Sequence, residues 1–163
     1  MFRRSVLACV AAVMVCTPSS SFAQEAERAG GPLHVVGSNP TVVVLIAGEL
    51  PETAPETPVD VWIWSFYNSI GTVRDISFDA NASLMRVDCQ ARTLQSQRLE
   101  LFLEDRQVAG ETSAGPIETP GTDTLPHMLM MDICVPSQRV ALDAPFPDHR
   151  IARAAVRRHF NSQ

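Results

Sequence analysis

The chain has 163 residues, 45% of them hydrophobic and 19% charged, a length and composition suited to one domain with a modest core. Its 13 basic residues are all arginine and are outnumbered by 18 acids, for a formal net charge of −5. Such a surface offers no general attraction to nucleic acid or to anionic lipid, whose capture depends on basic charge, so no nucleic-acid partner is expected.

The opening "MFRRSVLACVAAVMVCTPSSSFAQE" has two arginines, a short apolar run, a polar stretch and small residues before Gln24. That order predicts a signal peptide over residues 1–23 and an exported protein, periplasmic or associated with the cell surface. The apolar run falls well short of the roughly 20 residues a membrane span needs, so no transmembrane span is expected in the mature chain. Cys9 follows a small-residue box that resembles a lipidation signal, but cutting there would leave almost no hydrophobic region upstream. Removing residues 1–23 leaves 11 arginines against 18 acids, a formal charge of −7, and leaves two cysteines, Cys89 and Cys134. In an oxidising compartment two cysteines allow one intramolecular pairing, and a Cys89–Cys134 disulfide is expected; two separate buried thiols are the alternative.

Residues 24–39 carry charge, Gly30-Gly31 and Pro32 but little apolar periodicity, and are expected to form a flexible leader to a single domain over 40–163. "TVVVLIAGEL" (41–50) has the continuous β-branched centre of a buried strand. "PETAPETP" (51–58) is a stiff loop, because its prolines prevent a regular helix or a continuous sheet. "VDVWIWSFYN" (59–68) places Val59, Val61 and Ile63 on one face and Trp62, Trp64 and Phe66 on the other. Either this strand is covered on both sides, or its aromatic face is a patch for a protein partner.

A third strand is expected over 72–78, ending in a turn at Asp79-Ala80-Asn81. Asn81-Ala82-Ser83 also matches the N-glycosylation acceptor pattern. Residues 84–92 and 98–103 read as a hairpin joined by the polar stretch 93–97, with Cys89 strand-borne and packed inward and the charged alternates, Glu100 among them, facing water. In "TDTLPHMLMMDIC", Thr122 or Thr124 can cap a helix with Pro126 in its first turn, and Cys134 ends it before Pro136. The methionines read as irregular core filling rather than copper ligands. "DHRIARAAVRRHF" predicts a final helix capped by Asp148, with a thin stripe of Ile151, Ala155 and Val156 and a basic face of Arg150, Arg153 and Arg157 exposed to solvent, the alternatives being a membrane surface or an acidic partner.

Chemistry is sparse. There is no glycine-flanked serine elbow, no Cys-x-x-Cys, no closely spaced histidine pair among His34, His127, His149 and His159, and no glycine-rich phosphate cradle. No catalytic residue, cofactor or metal is therefore expected, although Asp60, Asp75, Asp88 and Glu100 lie on neighbouring elements where carboxylates can meet.

"VWIWSFYNSI", "RVDCQARTLQSQRLELFLEDRQV" and "IETPGTDTLPHMLMMDIC" share an order of features. A strand leads into Ser69-Ile70, then come a cysteine-bearing strand and its hairpin partner, a Pro120-Gly121-Thr122 turn, and a short helix ending in the second cysteine. Over about residues 59–134 this resembles the bacterial surface-adhesin protein E family. The resemblance implies a Cys89–Cys134 disulfide, a compact antiparallel sheet with a packed helix, and, from the adhesins that name the family, binding to host extracellular-matrix proteins. The fold expected is α+β, an antiparallel sheet of about five to six strands with one or two packed helices and one disulfide. The function expected is a binding role for a small exported envelope or surface protein. The alternatives are a periplasmic structural or accessory protein and an extracytoplasmic hydrolase.

Overall fold

A computed structural model of the protein describes residues 31–139 and 144–162, so the expected signal peptide lies outside the described residues. Seven strands, β1 (Leu33–Ser38), β2 (Val42–Ala47), β3 (Val59–Val73), β4 (Ile76–Asp88), β5 (Thr93–Leu103), β6 (Arg106–Glu111) and β7 (Ile117–Glu118), are followed by helices α1 (Leu125–Cys134) and α2 (His149–Asn161). The sheet is antiparallel throughout, ordered β1-β2-β3-β4-β5-β6, with β7 pairing β5 beside β6. The fold is thus α+β, as expected.

The sheet is covered on both faces. Leu45, Trp64, Phe66, Phe102, Ala152 and Val156 form one core, beneath α2. Val44, Ile46, Ile63, Leu129, Met130 and Ile133 form the other, beneath α1. This explains two strands at once. Val43 to Ile46 of β2 are all buried, which is why the run is continuously apolar, and β3 sends Val59, Val61 and Ile63 to the α1 core and Trp62, Trp64 and Phe66 to the α2 core.

Both helices begin and end where their caps dictate. Thr124 Oγ1 accepts from the His127 amide, Pro126 lies in the first turn, and Cys134 ends α1 before Pro136. Asp148 Oδ1 accepts from the Arg150 and Ile151 amides at 2.8 and 2.9 Å, which starts α2. The disulfide joins Cys89 to Cys134, with Cα atoms 5.3 Å apart.

Five expectations are corrected. Part of the expected leader is strand: Leu33, fully buried, anchors β1, which pairs with β2. A register shift between Val35 and Gly37 splits β1's apolar residues between the two cores, which hides its periodicity. No turn forms at Asp79-Ala80-Asn81. The β3–β4 hairpin turns at Arg74-Asp75, both with positive φ (47° and 65°), and β4 runs on because Ala80 and Ala82 are fully buried in the α2 core.

Residues 93–97 belong to β5 rather than to a connection. The chain reverses at Cys89 to Arg92, where Asp88 Oδ1 accepts from the Gln90 and Ala91 amides, so Cys89 sits in a turn. Finally, Glu100 is buried and pairs with Arg98 at 2.8 Å instead of facing water, because the middle of the sheet is covered on both sides.

Candidate functional site: a groove beside the first helix

The aromatic patch is core. Trp64 and Phe66 are each 1% exposed, and Trp62 packs partly buried against the same cluster, so the three do not form a surface for a partner. Trp64 stacks on His149 at the start of α2, with ring centroids 5.0 Å apart, and touches Phe102 at 4.8 Å.

The basic face of α2 is likewise divided. Arg150 remains exposed, but Arg153 is buried and lies over the Phe66 ring at 5.4 Å. Its Nη1 donates to Asp79 Oδ1, Arg157 Nη2 donates to Asp79 Oδ2 at 2.9 Å, and the Glu104 amide donates to Asp79 Oδ1 at 3.1 Å. This buried carboxylate on β4, 8% exposed, holds α2 against the sheet and corrects the reading of Arg153 as a solvated residue.

The four carboxylates weighed for catalysis serve separate purposes. Asp60 pairs with Arg86 at 2.9 Å, Asp75 occupies the hairpin turn, Asp88 caps the next turn, and Glu100 pairs with Arg98. Among the described residues no group of three or more His, Cys, Asp or Glu is placed to hold a metal ion, and no helix is long and apolar enough to cross a membrane.

A site that sequence reasoning missed lies on the other face of the sheet. The ten residues of α1 cover only part of that face, and beside the helix runs a half-open groove of about 300 Å³. Register explains its shape. One cross-strand row is Ile46, Ile63, Ser83 and Leu99, and the next is Val44, Ser65, Asn81 and Leu101. Each row thus holds one serine, Ser83 in the first and Ser65 in the second, among larger side chains, and the two serines leave a trough. Leu125, Pro126 and Leu129 of α1 form one wall.

Part of the sheet floor is polar, and none of it is charged. Tyr67, Ser65, Asn81 and Ser83 line it, each half-buried, and Asn81 Nδ2 donates to Tyr67 Oη at 2.9 Å. Burial pushes the Tyr67 phenol above its ordinary value of 10.0, against the lowering effect of its side-chain hydrogen bonds with Asn81 and Ser65. The phenol therefore keeps its proton. The same Asn81 contact argues against the glycosylation reading, because the acceptor amide is engaged on a central strand. The sequence signal for this floor was the change along one face of β3 from Val59, Val61 and Ile63 to Ser65 and Tyr67, two polar residues continuing an apolar row.

The wall is held from one end. The disulfide fixes the C-terminus of α1, and Arg139 donates to the Asp132 carbonyl from Nε (3.1 Å) and Nη2 (2.6 Å) and to the Pro51 carbonyl at 2.9 Å. Comparison of the chain with protein-family models, curated proteins and solved structures found no match.

Proposed function

We propose that the protein is a small exported envelope or surface protein with a binding role, and that the groove beside α1 is where it binds. The observation that carries the reading is the groove itself: a concave, mainly apolar trough with a few convergent polar groups is the common form of a small-ligand site. The signal-type N-terminus and the disulfide of a chain with no other described cysteine support export. The resemblance of residues 59–134 to surface-adhesin protein E supports the same general class. With the aromatic strand buried, the adhesin-like version of the reading has to use another surface.

Protease shaving of intact cells making the untagged protein, scored against lysed cells and a periplasmic control, tests the location. Export predicts a chain shortened by 23 residues with both remaining cysteines oxidised. A full-length cytoplasmic chain with free thiols overturns it. Removal from intact cells places the domain outside, and protection until lysis places it in the periplasm. Amide chemical-shift mapping of the purified protein during titration with small apolar probes tests the groove, and shifts should be saturable and confined to β3, β4 and α1.

A further inference from the structure

The groove defines more than an apolar surface. Its volume of about 300 Å³ corresponds to about ten water-sized volumes of about 30 Å³ each. Within the groove that suits a ligand of about ten non-hydrogen atoms.

None of the residues lining it is charged. Burying an ionised head there would strip its hydration with no opposite charge to replace it, so a neutral ligand is favoured over an anion or a cation. A pure hydrocarbon is disfavoured for the converse reason. The floor carries the Tyr67, Ser65 and Ser83 hydroxyls and the Asn81 amide, and an apolar molecule laid on them takes away their water without returning hydrogen bonds.

Tyr67 is the group best placed to meet a ligand head. Its oxygen already accepts from Asn81 at 2.9 Å, which fixes that side of the phenol. Tyr67 and Ser65 are hydrogen-bonded to each other, which uses one of their two rotatable hydroxyl hydrogens and leaves the pair one donor and one acceptor for an incoming hydroxyl or carbonyl. Beside this cluster, Val44 and Ile63 of the sheet and Leu125 and Leu129 of α1 provide apolar surface.

We infer that the groove is a site for a neutral, single-chain amphiphile of about ten non-hydrogen atoms, whose tail lies between α1 and the sheet and whose hydroxyl or carbonyl meets Tyr67. This inference rests on the binding function proposed above and adds the chemical class of the ligand.

Titration of the oxidised mature protein with 1-octanol, octanoate and octylammonium, which share a chain and differ in head charge, tests it by chemical-shift mapping. Octanol should shift the Asn81 side-chain amide and the α1 wall, and should bind about tenfold more tightly than either ion. Tyr67→Phe should weaken octanol about fivefold while the melting temperature stays within a few degrees. Ser83→Leu, which fills the trough, should abolish the shifts; if that variant does not fold, Ser65→Val provides the same test with less added volume.

Octanoate or octylammonium binding as tightly as octanol, or a Tyr67→Phe variant that binds octanol as well as the parent, would overturn the ligand class while leaving groove binding in place. No saturable shift with any of the three would overturn both.

Discussion

His149 shows how one side chain can make this fold sensitive to pH. Its ring lies flat on Trp64, the two planes 2° apart. Burial lowers its pKa below the ordinary 6.5, outweighing the raising effect of Asp105 and Asp148, while Arg150 and Arg153 lower it further. The folded protein therefore takes up this proton at lower pH than the unfolded chain. The contribution to stability is complete above the ordinary value and is lost as pH falls from there toward the folded pKa. The melting temperature should fall between about pH 7.5 and about pH 5.5, and His149→Gln should flatten that slope. An unchanged slope in the variant would place the proton-sensitive group elsewhere. The sequence showed His149 only as one of four histidines with no closely spaced partner; its stacking depends on a tryptophan that meets it through tertiary packing.

The second helix illustrates a contest between periodicity and packing. By spacing alone, Arg150, Arg153 and Arg157 share a polar face, and the natural reading puts all three in water. In the fold, Ala152, Arg153 and Val156 are buried, and Ile151, assigned to the apolar stripe, is about half exposed. The reason is Asp79, 74 residues away in sequence, which meets Arg153 beneath the helix. Asp79→Asn keeps the size of the side chain and leaves the buried Arg153 with only the half-exposed Asp105, 3.3 Å from its Nε, as a counter-charge, so it should destabilise the fold by about 3 kcal/mol. Urea denaturation would register this as a lower midpoint at unchanged slope. Adding Arg153→Met should recover part of the loss, and a double variant no more stable than the single one would argue that the pair does not act as a unit.

For the whole molecule, the disulfide is the main long-range covalent constraint among the described residues, tying the β4–β5 turn to the end of α1 across a separation of 45 residues. A closed loop of that size restricts the unfolded chain, and Cys89→Ser with Cys134→Ser should cost about 4 kcal/mol in denaturant. A loss below about 1 kcal/mol would show that α1 is held by its packing and by Arg139 rather than by the bridge.

Much of the architecture was legible because its causes are local. Composition marked β2 as buried, alternation gave β3 two apolar faces, Thr124 and Asp148 marked both helix starts, and two cysteines left one pairing. The turns were misplaced because Arg74 and Asp75 adopt positive φ without the glycine or asparagine that usually announces it, while the turn-like Asp79-Ala80-Asn81 is held straight by burial of Ala80. Only the tertiary structure decided that the tryptophan-bearing strand is core, that Arg153 is buried, and that Ser65, Tyr67, Asn81 and Ser83 share one trough. These outcomes depend on register and on which helix covers which face, and a one-residue slip in pairing would turn the same side chains to the opposite side of the sheet.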